Sequence, residues 1–266
     1  FLDEFAREDA VSFRNAFCQN PVCVPSRCSF FTGLYPHVHG HRTMQYLLHG
    51  GDTTLLSELK DAGYHVWIND RNDLLAGQEP GLMDRHAHEV FTAASLPQPP
   101  GPENPGFRGK PGDKNYYSHY EGRLGLDENG RNYSADDAAV DAAIERILHP
   151  VDGKPLCLFL GLMYPHPPYA VEEPYFSMID RKKLPRRAGV GKNKSRMQEK
   201  LREYMAMEGR AEEDWDEMRV CYLGMCRKVD DQFRRLCEAL KKAGIYEDSA
   251  IFFFSDHGDY TGDYNI

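Results

Sequence analysis

The chain has 266 residues, 41% hydrophobic and 12% aromatic, enough for one large α/β domain or two small ones. A net charge of -9 argues against general binding of nucleic acid or anionic membranes, so an anionic substrate would need local cations to hold it. There is no run of about eighteen or more apolar residues and hence no transmembrane helix, and seven cysteines in a chain this long do not read as a disulfide scaffold.

The chain opens on Phe1-Leu2-Asp3-Glu4-Phe5, which reads as part of an amphipathic helix. Next comes Cys23-Val24-Pro25-Ser26-Arg27, followed by Thr32-Gly33. Cys18, Cys23 and Cys28 fall five apart, a spacing that matches no common zinc pattern. His37, His39 and His41 alternate around Gly40 with no carboxylate nearby in sequence, so they read as a turn. Thr53 to Ala62 predicts a helix with Asp52 as its N-cap and Gly63 as its stop. Tyr64 to Ile68 then predicts a strand. The stretch 97–114 is rich in Pro and Gly and predicts an irregular insertion.

Ser134-Ala135-Asp136-Asp137 resembles a capping box and opens a helix to about His149, with Val140, Ile144, Ile147 and Leu148 on one side. Leu156 to Met163 is a continuous apolar run, expected of a strand buried on both faces, with Cys157 as a core thiol. The stretch 180–202 carries ten Lys or Arg and reads as an irregular, solvated insertion leading into a helix; a rim for a polyanion is the sharper alternative. Asp214 to Ala243 predicts a long helix, and Ala250 to Phe254 another buried strand. This alternation predicts an α/β fold on a mainly parallel sheet.

In such sheets ligands bind beyond the carboxyl ends of strands. Two predicted strands end in polar groups, one in Pro165-His166-Pro167 and the other in Asp256-His257-Gly258. A carboxylate beside an imidazole suits a divalent metal, or a turn before a capped helix. A histidine between prolines, taken alone, is a rigid surface loop.

Six fixed positions over eleven residues, C-x-P-S-R-x-x-x-x-T-G, resemble the signature of the type I, formylglycine-dependent sulfatases. Asn20-Pro21-Val22, Thr32 to His37, and Asp61 to Tyr64 are also similar to that family, as are the later P-H-x-P and D-H-G segments in that order. The resemblance covers nearly the whole chain. It implies the alkaline-phosphatase-like fold and a single N-terminal catalytic domain, of which residues 1–266 would be a part lacking the first strand and the C-terminal region. It implies hydrolysis of a sulfate ester, through a formylglycine made from Cys23 by a maturation enzyme. It further implies that Arg27 polarises the nucleophile and that His166 contacts the sulfate or the leaving oxygen. Asp256 and His257, with residue 23, would bind a divalent metal, calcium being usual in the family. A sulfated small molecule or carbohydrate would be the substrate.

The chain departs from the family where many members read G-K-W-H after the Gly-Tyr pair. Here the stretch is Asp70-Arg71-Asn72-Asp73. Arg71 could replace the lysine, with different geometry. Asp73 could replace the histidine as a donor only if protonated; alternatively Arg71 and Asp73 form a surface ion pair. A phosphonate monoester or phosphodiester hydrolase, and a non-catalytic binding protein on the same scaffold, are the competing readings. The sequence leaves both a secreted or periplasmic and a cytoplasmic location open.

Overall fold

The computed structural model describes residues 1–113, 115–205, 207 and 209–266, so Lys114, the end of the first expected insertion, lies outside them. In chain order the elements used below are α1 (Leu2–Glu8), α2 (Cys23–Thr32), α3 (Leu55–Asp61), β1 (His65–Asn69), α4 (Leu82–His86) and β2 (Glu89–Phe91). They continue with β3 (Tyr120–Arg123), α5 (Ala135–Leu148), β4 (Leu156–Phe159), β5 (Tyr169–Val171), α6 (Arg196–Met205) and α7 (Glu212–Lys242). The chain forms two compact units: residues 1–96, 135–162 and 232–258 make the first, and 97–134, 163–231 and 259–266 the second.

The first unit is built on a parallel sheet in the order β2-β1-β4. β1 is central, and four of its five residues are buried. Val66 and Ile68 are fully buried and pack with Val24, Cys28 and Phe31 of α2 and Leu56 of α3. Truncating one such side chain to alanine costs about 2–5 kcal/mol. α2 begins with Pro25 in its first turn, where the missing N–H would have had no helical partner, and stops at Gly33 with φ 71, a left-handed cap that favours glycine.

α3 is capped by Thr54 in a capping box with Ser57, rather than by Asp52. Asp52 instead accepts the backbone N–H of His49 and faces His39 and His41. A carboxylate surrounded by imidazoles and an amide is better satisfied there than at the helix start.

The second unit has a parallel pair, β3 and β5. Its core joins Tyr169 and Val171 to Met207 and to Trp215, Met218 and Cys221 of α7. Within this unit Lys228 and Glu172 form a buried ion pair at 2.8 Å.

Several elements match the expected ones to within a few residues. The strand at 65–69, α5 and α7 are present, and so is the basic stretch that enters α6 with no buried residue on that helix. Residues 97–113 contribute no helix or strand, only a bridge from Pro102 to Leu124. No helix among the described residues is long and apolar enough to cross a membrane. All seven cysteines are free.

Two expectations are corrected. β4 ends at Phe159 and is half-buried throughout, because it pairs with β1 along one edge and has no strand on the other among the described residues. Cys157 is accordingly half-buried rather than a core thiol, although burial still pushes its pKa up to about 11. Residues 250–254 form no strand, and Phe252, Phe253 and Phe254 are exposed. The segment has no ladder partner among the described residues; its rings rest on Phe233 and Phe30 instead.

His86 is fully buried, and its Nδ1 lies 2.8 Å from the Thr54 hydroxyl. Thr54 Oγ1 also accepts from Ser57 N–H, and His86 Nε2 has no hydrogen-bond partner among the described residues. Burial, then the nearby Arg85 charge, pushes His86 down to about 4 from 6.5. The unfolded chain therefore binds a proton that the folded one refuses between those values, and folding stability falls as pH drops through that window. We expect the melting temperature to fall from pH 7 to pH 5, and to fall less in a His86→Gln variant, measured by thermal denaturation.

Candidate active site

The helix period decides which members of the Cys23 stretch act together. Residues 23, 26 and 27 lie three and four apart, hence on one face at the start of α2. All three meet the segment 256–257. Cys23 Sγ lies 3.1 Å from His257 Nε2, Ser26 Oγ donates to the Asp256 carbonyl at 2.5 Å, and Arg27 Nε donates to Asp256 Oδ2 at 2.8 Å. Cys23 is buried at the first position of a helix whose N-cap, Val22, offers no side-chain acceptor. Partial positive charge at that helix end favours an anion or a developing oxyanion at residue 23.

The exit of β1 supplies the other side. Asn69 and Gly161 exchange two hydrogen bonds, Nδ2 to the Gly161 carbonyl at 2.7 Å and Gly161 N–H to Oδ1 at 2.9 Å. This ties the carboxyl end of β1 to the chain leaving β4. Asn72 is almost fully buried, and its Oδ1 accepts from Leu74 N–H and Leu75 N–H. So braced, the loop turns its Asn72 carbonyl to Arg27 Nη1 at 3.0 Å. Asp73 follows in a left-handed conformation, φ 51, which aspartate tolerates better than most residues, and its Oδ2 lies 3.2 Å from Arg27 Nη1.

Arg27 thus faces two carboxylates and one carbonyl, with its side chain 12% exposed. His257 is pushed up to about 9, first by its hydrogen bond with Cys23, against the opposing pull of burial, and further by the Gly258 carbonyl and the Asp256 charge. His257 Nδ1–H donates to that carbonyl, which aims Nε2 at Cys23. Asp256 Oδ1 accepts His257 N–H at 2.9 Å.

Five of the residues singled out in the sequence, Cys23, Arg27, Asp73, Asp256 and His257, therefore lie together. Arg71 is their neighbour along the loop. It forms no ion pair with Asp73; its Nε is buried without a hydrogen-bond partner among the described residues. His166 belongs to the second unit, exposed, on a turn with cis bonds at Tyr164-Pro165 and Pro167-Pro168. Sequence reasoning missed Asn69, Asn72 and Gly161. A polar residue ending an apolar strand was the available signal for Asn69; nothing local marked the other two.

Cys23, Asp256 and His257 offer ligand atoms within 4.8 Å of one another, so they could hold a metal ion. Asp256 supplies a hard oxygen donor and His257 an imidazole nitrogen, and residue 23 would add a second oxygen only once its sulfur is replaced by one. A carboxylate has about four lone-pair directions, so Asp256 can keep its bonds to Arg27 and His257 N–H and still ligate. Calcium takes about 6–8 oxygen donors, more than these residues provide.

The family described as Sulfatase matches residues 1–266. The chain belongs to the sulfatase family. Among curated relatives, arylsulfatase K of Danio rerio is 24% identical over 290 residues, covering 96% of this chain and 49% of that protein. Phosphonate monoester hydrolase SpPMH from Silicibacter pomeroyi superposes with a TM-score of 0.70 at 23% identity, covering 98% of this chain and 58% of that one. A further structure, solved in complex with its substrate D-glucosamine-2-N,6-O-disulfate, superposes with a TM-score of 0.58 at 16% identity, over 93% of this chain. The chain spans about half the length of such relatives. These likenesses establish the mixed α/β, alkaline-phosphatase-like fold of this sulfatase chain.

Gly161 is the tightest point of the site. A Cβ there would overlap the Arg71 carbonyl oxygen and approach Arg27 Nη1 to 3.5 Å. We expect Gly161→Ala to cost about 1–3 kcal/mol by overpacking, read from the denaturation midpoint, with Gly77→Ala, where a Cβ would meet nothing within 4 Å, serving as a control.

Proposed function

We propose that the protein of which this chain is part hydrolyses a sulfate ester, with residue 23, oxidised to formylglycine by a maturation enzyme, as its nucleophile. The observation that carries the reading is the meeting of Cys23 and Arg27 of α2 with Asp256 and His257. An aldehyde hydrate at position 23 supplies two hydroxyls on one carbon, one to displace the alcohol from sulfur and the other to expel sulfate. In the unoxidised chain, Cys23 Sγ stands in for one of those oxygens.

The remaining work falls to the chain's own side chains. Arg27 is held by Asp256, Asp73 and the Asn72 carbonyl, so it meets the substrate already oriented, with no reorganisation needed. His257 Nε2 is aimed at residue 23 and, with Nδ1 bonded to the Gly258 carbonyl, is the nitrogen left to face a metal ion there. Two carboxylates against one guanidinium leave little positive charge for an anionic ester. A divalent cation held by Asp256, His257 and residue 23 would restore it and act as a Lewis acid; calcium is the ion we assign. Arg71 adds a further positive charge from the loop. His166 is assigned to protonate the departing oxygen, as the family resemblance implies.

A sulfated carbohydrate is the substrate class we favour, in keeping with the disulfated glucosamine bound by one structural neighbour. Likeness to a phosphonate monoester hydrolase supports a second reading, cleavage of a phosphonate or phosphate ester at the same site.

Peptide mass spectrometry of fragment 15–27 from the whole protein, made in its native host, tests the nucleophile. We expect an aldehyde at residue 23; an unmodified thiol throughout would favour a non-catalytic scaffold. A panel of matched sulfate and phosphonate monoesters separates the two enzymatic readings. Cys23→Ala should abolish turnover, and Arg27→Ala should lower kcat by about 10²–10³, the cost of losing one oriented donor. Asp256→Ala should lower the tightly bound metal measured by elemental analysis, and unchanged content would refute that ligand.

A further inference from the structure

A second cluster of metal-binding groups lies between α2 and α3, made of residues other than those gathered at Cys23. Asp52 is buried and is reached by three imidazoles. His39 Nδ1 lies 2.7 Å from its Oδ1, and His41 Nε2 and His49 Nδ1 lie 3.2 Å and 3.5 Å from its Oδ2. Ligand atoms of His39, His41 and Asp52 all fall within 4.8 Å of one another.

His41 carries the argument. Its side chain is only 4% exposed, and its Nδ1–H donates to the Tyr46 carbonyl at 2.9 Å. In the neutral ring that bond puts the lone pair on Nε2, facing the Asp52 carboxylate. Nε2 has no hydrogen-bond partner among the described residues. Two lone pairs pointed at each other in a buried place repel unless a proton or a metal ion lies between them, and the gathering of further imidazoles on the same carboxylate suits the metal ion. An imidazole oriented by a backbone carbonyl through its other nitrogen is the usual outer support of a metal-ligating histidine.

We propose that His39, His41 and Asp52 bind a divalent transition cation of the zinc type, with His49 at the rim as a fourth donor. Two imidazoles and a carboxylate match zinc better than calcium or magnesium, which take oxygen donors. The ion would tie the turn 39–49 to Asp52, two residues before the Thr54 cap. Its role is structural and independent of the chemistry at residue 23.

The test is a zinc titration of the purified protein against a chromophoric chelator, in excess calcium, with wild type, His39→Ala and Cys23→Ser. His39 is half-exposed, so its removal should spare the fold, which a thermal melt checks. We expect wild type and Cys23→Ser to take up one zinc ion per chain, and His39→Ala to bind it at least about 100-fold more weakly, the upper end of the loss seen when even an outer partner is removed. Zinc should also raise the melting temperature of wild type but not of His39→Ala. On unmutated protein, zinc should protect His39 from diethylpyrocarbonate, read by peptide mass spectrometry. No zinc uptake by wild type, equal uptake by His39→Ala, loss in Cys23→Ser instead, or no protection of His39 would each overturn the assignment.

Discussion

Arg27 is caught between two carboxylates and a backbone carbonyl, and the geometry around residue 23 follows from that arrest. A guanidinium is planar and presents its donors as a fixed fork. Once Nε is committed to Asp256 and Nη1 to the Asn72 carbonyl and Asp73, the side chain has little freedom left. The same contacts fix the partners. Asp256 is drawn to the first turn of α2, which brings its neighbour His257 onto Cys23. The β1 exit loop is held in turn by Asn72, its amide spent on four backbone groups. Removing one partner of a buried charge pair costs about 3–5 kcal/mol, so these contacts are structural as well as chemical.

The α2 part of this arrangement was legible in the sequence because helix geometry is local. Cys, Ser and Arg at i, i+3 and i+4 share a face whatever surrounds them. The parallel character of the sheet was legible too, from the alternation of helix and strand, though not the order of its strands. What could not be read was anything decided by distant pairing. Asp73 was weighed against Arg71, two residues away, yet its partner is Arg27, forty-six positions earlier. Asp52 looked like a helix cap because it precedes α3, but three imidazoles and an amide outbid that role. Residues 250–254 have the composition of a buried strand, and composition sets what a segment would gain from burial without supplying the neighbour.

Position 73 joins backbone conformation to local charge. Where the family resemblance leads one to expect a cationic donor, this chain has an anion in a left-handed turn, neutralised by Arg27. Arg71, with Nε buried and unbonded among the described residues, is then the loop's remaining positive group. The charge facing Arg27 from this loop is set over three adjacent residues, while the helix face stays as the sulfatase signature has it.

The open segment at 250–254 bears on how this chain behaves in a crowded solution. Four of its five side chains are large and apolar, it carries no charge and no proline, and three phenylalanines stand exposed. Such a stretch has free backbone donors and acceptors beside sticky rings, the features from which intermolecular cross-β stacking starts. Left uncovered, the segment would promote concentration-dependent self-association of this chain, through the same few residues that lead to Asp256.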